Sequence, residues 1–326
     1  GCSSEKKDTL YLFNWTYYTP ESVIELFEEE FNVNVRIDNY ASNEEMYTKI
    51  KAGATGYDIV FPSQDYVTIM LKQDMFEKLD LTQLPNTANI NPAVLEKATY
   101  DPTMQYSVPY GMTVAGIAVN NEKVTDYEKS WNIFEREDLK NRMSMLDDMR
   151  EVMGAALIYL GYSTDTVDDG ELAEAEELLK TKWTPNLVKF DAEGFGKSFA
   201  SGDFWVSHGY AEVVFGEVPE EKWHTIDYFI PEEGAPLYID SMCILKGSKN
   251  YDLALQFIDF IHRPEIYALF LDEFQFPPVI NTEAAQFVTT TPMYEIDDIS
   301  GYEIPGDLAE NISKYNNIWE RIRFAN

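Results

Sequence analysis

Apolar strand-like runs alternate with helix-like segments through the first sixty residues, and this rhythm constrains the fold more than any other feature of the chain. The run DTLYLFNW is followed by a helical pattern from about Pro20 to Phe31, with Thr19 as N-cap and Pro20 at the first helical position. Val23, Ile24, Phe27 and Phe31 recur on one face of it. VNVRID then alternates as a strand, Ser42 and Glu45 form a capping-box pattern opening a helix through Ile50, and YDIVFP is a short strand ending at Pro62 and Ser63. A β-α-β-α-β order predicts an α/β fold, with a mostly parallel sheet covered by helices on both faces. In such sheets ligands sit beyond the carboxyl ends of the strands, in loops that lead into helices. NWTYYTP and PSQDY occupy that position.

With 326 residues the chain is long for one domain and short for three, so two lobes are expected. Two long, apolar strand candidates, YSVPYGMTVAGIAVN at 106–120 and PLYIDSMCIL at 236–245, are placed to carry the chain from one lobe to the other. The expected division is a tether at 1–7, an N-terminal lobe of 8–112 and 238–286, and a C-terminal lobe of 113–237 and 287–326. MSML and DDMREVMGAALIYLG restart the strand-helix pattern, 165–180 reads as an acidic, solvated helix, and Pro264 divides a pair of apolar helices.

Charge excludes several functions. Lys and Arg number 25 against 57 Asp and Glu, a net charge of −32 spread along the chain, which repels nucleic acid and attracts cations. Aromatic content of 14% argues against disorder, and no window approaches the ~18 apolar residues of a membrane span. Cys2 and Cys243 cannot build a disulfide framework, and Cys243 lies in a strand-like run as a buried, inert thiol. His208, His224 and His262 lack metal-ligand spacing and read as structural. FGKSF fails as a phosphate loop because Asp191 stands where Gly is needed, and DTVDDGELAEAE fails as a calcium loop because its third ligand would be Val167. No metal and no cofactor are expected.

Carboxylates carry the positive signal. A helix starting near Asp148 sets Asp148 and Glu151 on one face of its first turn, where the helix dipole favours them; they are equally suited to hold an ammonium group. Tyr238 and Asp240 lie on one side of an apolar strand, and an acid buried there requires a partner: an Arg, a Lys or a ligand cation. The opening GCSSEKKD looks like the mature end of a bacterial lipoprotein, with lipid expected on Cys2 and a polar tether after it.

DTLYLFNWTYYTP, YASNEEMYTKIKAG, YDIVFPSQDYV, YSVPYG, DDMREVMGAALIYLGYS, PEEGAPLYIDSM and PPVIN, in this order, resemble the spermidine/putrescine-binding proteins of bacterial ABC importers. The resemblance runs through nearly the whole chain after the tether. It implies the two-lobed periplasmic binding protein fold, a cleft between lobes joined by crossover strands, and closure around a polyamine. Carried over residue by residue, it assigns ligand contacts to Trp15, Thr16, Tyr18, Ser63, Asp148, Glu151, Tyr210, Tyr238, Asp240 and Phe276, and to Asp65 where a Tyr is usual. Tyr210 and Tyr238 stand in for Trp, and Phe276 for Tyr. The late Gln of the family falls near Pro305, where no residue matches. These departures leave the choice between spermidine and putrescine open. The resemblance further implies a permease and ATPase as partners, a monomer that is not an enzyme, and a periplasmic, lipid-anchored location. Three other readings stand beside it: a ferric-ion binding protein using Tyr17 and Tyr18, a carboxylate-based hydrolase, and a lipid-anchored polyamine sensor without a permease.

Overall fold

The computed structural model describes residues 6–324. In chain order these form β1 (Thr9–Trp15), α1 (Glu21–Phe31), β2 (Asn34–Tyr40), α2 (Asn43–Lys51), β3 (Ile59–Val60), α3 (Gln64–Lys72), α4 (Pro92–Lys97), β4 (Val108–Val114) and β5 (Gly116–Asn120). There follow β6 (Met143–Met145), α5 (Met149–Leu160), α6 (Asp169–Leu178), β7 (Leu187–Phe190), α7 (Phe195–Ser201), β8 (Val206–Gly209), α8 (Ala211–Glu217) and β9 (Ile226–Phe229). The chain closes with β10 (Leu237–Ile244), α9 (Tyr251–Ile261), α10 (Pro264–Phe274) and α11 (Ile312–Arg323). Two compact units result: one of Gly1–Met112 with Ile239–Pro292, the other of Thr113–Tyr238 with Met293–Asn326. Residues 287–292 fall with the first unit. Cys2, and the anchor expected on it, lies outside the described residues.

The sheet of the first unit runs β2-β1-β3-β10-β4. β1 pairs in parallel with β2 and β3, as the β-α-β rhythm requires, but β10 pairs antiparallel to β3. The sheet of the second unit runs β7-β6-β8-β5-β9, with β6 parallel to both neighbours and β5 antiparallel to both of its own. Both sheets are therefore mixed rather than mostly parallel. The periodicity of the first sixty residues reports only the local crossovers, and the antiparallel strands come from distant parts of the chain.

Two local expectations shift and the capping box holds. α1 starts at Glu21 with Pro20 as its cap residue, because the Thr19 hydroxyl is engaged elsewhere, by Asn14 Nδ2 at 2.7 Å and the Tyr110 hydroxyl at 2.5 Å. Ser42 does cap α2, accepting from Glu45 N at 3.1 Å, while the Glu45 carboxylate reaches back to Ala41 N at 2.9 Å. The long strand expected over 106–120 breaks at Ala115 into β4 and β5. Asp165, first residue of the calcium-loop-like stretch, pairs with Arg150 at 2.6 Å and accepts from Gly306 N at 3.0 Å.

The first core closes over Phe13, Tyr40, Val60, Val67 and Cys243, with Phe27 packed edge-on to Phe257. The second unit buries Trp131, Trp183 and Phe134 against one another, and Met143, Met145 and Val206 of its sheet are buried too. The approach to β4 is stapled by Asp101, which is 7% exposed and accepts from Gln105 N (3.0 Å), Tyr106 N (2.9 Å), Ser107 N (2.8 Å) and Ser107 Oγ (2.7 Å). Replacing Asp101 by Ala strands those donors and is expected to cost about 3 kcal/mol, read as a lower urea midpoint. A loss below about 1 kcal/mol would show that water takes over the carboxylate's role.

Candidate functional site

In the first unit a carboxylate sits at the centre of a hydroxyl network. Asp240, 6% exposed on β10, accepts from Ser63 Oγ at 2.6 Å and from the Tyr18 hydroxyl at 2.7 Å. Backbone geometry fixes the first contact. Ser63 and Asp240 form an antiparallel bridge between the end of β3 and β10, and Ser241 N donates to Pro62 O at 2.9 Å. Asn43, the first residue of α2, locks Ser63 from the other side, donating Nδ2 to Ser63 Oγ at 3.0 Å and accepting from Ser63 N at 3.0 Å. Burial pushes the Asp240 carboxyl up to about 6, opposed by the two hydroxyl donors and assisted by the nearby Asp65 charge. Asp65 stands in the first turn of α3, where it also accepts from Tyr66 N at 3.0 Å.

Tyr18 is held by what surrounds it. Its ring lies 5.1 Å from Tyr110 and edge-on to Phe270 at 6.0 Å, and its carbonyl accepts from the Tyr110 hydroxyl at 2.8 Å. Burial, then the neighbouring Asp240, raises its phenol well above the ordinary value, so at neutral pH the hydroxyl remains a donor. Trp15, the last residue of β1, donates Nε1 to Phe61 O at 2.8 Å and packs its ring 4.9 Å from Tyr40. Between them the chain turns sharply: Tyr17 adopts φ +55° and is 90% exposed. The adjacent tyrosines thus separate, one into the Asp240 network and one into solvent. Thr16 is exposed. Phe276 is buried one ring behind Tyr18, 6.2 Å from Phe270 and stacked 5.7 Å from Phe274.

The second unit carries the other acid pair. Asp148 is the N-cap of α5 and accepts from Glu151 N at 3.1 Å, so the i, i+3 relation expected from the sequence is a cap with Glu151 in the first turn. Glu151 is fully buried, and among the described residues neither of its oxygens has a hydrogen-bond partner. Burial, and then the charge of Asp148, raises its carboxyl well above the ordinary range. Asp148 is also pushed up by burial, against the N–H groups that stabilise its charge. Tyr238 lies within the field of Glu151, Asp148 and Tyr210, and Tyr210 is the cap residue of α8. Arg150 turns away, to Asp165, Gly306 O at 3.0 Å and the face of Tyr315.

Each unit therefore presents a buried carboxylate among tyrosines. A model of the bacterial extracellular solute-binding protein family matches residues 22–297. The chain belongs to that family. Among its relatives, the spermidine/putrescine-binding periplasmic protein of Escherichia coli strain K12 is 31% identical over 98% of this chain and 93% of its own length. The putrescine/cadaverine-binding protein of Pseudomonas aeruginosa is 34% identical over 78% of this chain and 74% of that protein. The crystal structure of the Tp0655 (TpPotD) lipoprotein of Treponema pallidum superposes with a TM-score of 0.90 at 51% identity, covering 97% of this chain and 100% of that one. The two-lobed periplasmic binding protein fold of this solute-binding protein follows from that likeness.

Within this solute-binding protein the structure joins Tyr18, Ser63 and Asp240 directly and sets Asp65 beside them, while Asp148, Glu151, Tyr210 and Tyr238 form the second group. Among the described residues Asp240 meets neither Arg nor Lys; hydroxyls are its partners. Three supporting residues escaped sequence reasoning: Asn43, Gly111 and His208. Gly111 faces the Tyr18 hydroxyl, which would lie 2.2 Å from a Cβ placed there. His208, read as structural, lies with Nε2 3.9 Å from Glu151 Oε2.

Proposed function

We propose that this protein captures polyamines, spermidine and/or putrescine, outside the cytoplasm and hands them to an ABC permease and its ATPase, without turning them over. The observation that carries the reading is Asp240, a carboxylate buried among aromatic rings with hydroxyl donors around it. Aliphatic amines resemble Lys, with pKa about 10, so a polyamine is multiply charged at neutral pH. Its ammonium groups call for acceptors such as Asp240, Asp148 and Glu151. Its methylenes call for ring faces such as Trp15, Tyr18, Tyr210 and Tyr238, with Thr16, Ser63, Asp65 and Phe276 at the margins. Each ring adds cation-π attraction of about 0.5–2 kcal/mol. Micromolar capture needs about 8 kcal/mol net, within reach of a few desolvated ion pairs and stacked rings. The names of the relatives from Escherichia coli and Pseudomonas aeruginosa support this ligand class. A lipid anchor on Cys2, a periplasmic location and a monomeric state belong to the same proposal, and the Treponema pallidum lipoprotein supports the anchor.

Calorimetry with spermidine, putrescine and lysine tests the reading. One polyamine is expected to bind per chain at micromolar or tighter affinity, lysine far more weakly, and Trp15→Ala is expected to weaken polyamine binding about tenfold. Failure of the parent protein to bind any polyamine would defeat the proposal.

A further inference from the structure

Glu151 poses a problem that ligand contacts alone do not solve. It is fully buried in the first turn of α5, both of its oxygens lack a partner, and Asp148 stands one helical turn away. An ionised carboxylate in that place would face desolvation and like charge together. The titratable and charged groups facing it are Asp148 and Arg150 from α5, His208 from β8, Tyr228 from β9 and Tyr238 from β10. Arg150 spends its guanidinium on Asp165, Thr164 O and Gly306 O. The Tyr228 hydroxyl is occupied by Gly116 N and Gly209 O, both at 2.7 Å.

His208 remains. It is fully buried, with Trp131 edge-on at 5.2 Å, and its Nδ1 accepts from Leu146 N at 3.2 Å. An accepting Nδ1 places the proton of the neutral ring on Nε2. Burial lowers this imidazole to about 3, so the ring is neutral throughout the physiological range. Its Nε2 has no hydrogen-bond partner among the described residues and lies 3.9 Å from Glu151 Oε2, so a movement of about 1 Å completes a hydrogen bond. The pair is thus an acid with no donor and a donor with no acceptor, side by side.

We propose that polyamine capture is coupled to loss of one proton from Glu151, and that His208 is the positioning residue that holds the resulting carboxylate. The step balances simply. The neutral carboxyl releases its proton to solvent, the carboxylate accepts from the ligand's ammonium on one oxygen and from His208 Nε2–H on the other, and the ligand keeps all its protons. This rests on the reading of the acid pair as an ammonium site. Its sign is fixed by linkage: while Glu151 is neutral in the free protein, affinity rises about tenfold per pH unit, and it levels off once pH passes the titration of the free group.

The test is calorimetry of spermidine binding at one pH near neutrality in buffers of low and high ionisation enthalpy. The parent is expected to release protons on binding spermidine, and Glu151→Gln close to none. His208→Phe removes the donor and should move the levelling-off to higher pH with at least a tenfold loss of affinity at pH 7, whereas His208→Gln, which keeps an N–H, should recover most of it. A purely structural role for His208 would weaken binding without moving the pH profile. Spermidine binding with an enthalpy independent of buffer would overturn the proton coupling while leaving polyamine capture intact. Proton release that persists in Glu151→Gln, or an unmoved profile in His208→Phe, would overturn the assignment of the pair. Absence of binding in every buffer would instead defeat the polyamine reading beneath it.

Discussion

Replacing Asp240 by Asn is expected to abolish useful polyamine affinity while leaving the free protein as stable as the parent or more so. Removing one partner of a buried, hydrogen-bonded charge pair costs about 2–5 kcal/mol of binding, a loss of roughly thirtyfold to several thousandfold. Stability moves the other way. The Asp240 carboxyl titrates at about 6 in the folded protein, against an ordinary value of 3.8. Between those values the folded state holds more protons than the unfolded one, so the stability contribution of this group falls as pH rises from about 4 to 6 and stays low above. The shift corresponds to about 3 kcal/mol, an upper figure for what the neutral amide recovers. The difference in unfolding free energy between variant and parent should therefore be small at pH 4 and grow towards pH 6.5. Denaturation at the two pH values, with calorimetry on the same samples, reads both effects. An Asn variant that bound spermidine within tenfold of the parent would remove Asp240 from the ligand site.

Gly111→Ala is expected to damage binding from a position that touches no charge. An added methyl would lie 2.2 Å from the Tyr18 hydroxyl and 2.9 Å from the adjoining ring carbon. The ring has little room to retreat, held between Tyr110 and Phe270. The bond from Tyr18 to Asp240 must then lengthen or break, at about 1–3 kcal/mol of stability and at least tenfold in polyamine affinity. Combining Gly111→Ala with Tyr18→Phe removes the clashing oxygen. The double variant should recover about 1 kcal/mol or more relative to the sum of the single changes. Strict additivity would mean that the methyl is accommodated without moving Tyr18.

These residues also mark how far the sequence is legible. Asp240 stands out as an acid inside an uninterrupted apolar run, and burial makes such a residue conspicuous. Glu151 is visible by its spacing from Asp148, although the spacing describes a cap and says nothing of its burial. Trp15, Tyr18 and Ser63 sit where α/β sheets place ligand loops, and the family resemblance singles them out. Gly111 is invisible because its role is a missing atom beside a residue far away in the chain. His208 is unremarkable among three scattered histidines, since its significance is its distance from Glu151. The antiparallel placement of β10 is hidden for a related reason: local periodicity carries no information about which distant strand will lie alongside.

That placement governs how the protein must assemble. Ser63 and Asp240 are 177 residues apart in sequence, and β10 lies between β3 and β4 in the first sheet. The amino-terminal third of the chain can form its parallel β-α-β part early, but β4 gains its sheet neighbour only after the intervening unit has been made. Closing so long a loop gives high contact order, hence slow folding and an interval in which β3 offers an open edge. Completion of the Asp240 network is therefore a late event for the nascent chain, and a partly made protein carries Tyr18 and Ser63 without the acid that organises them.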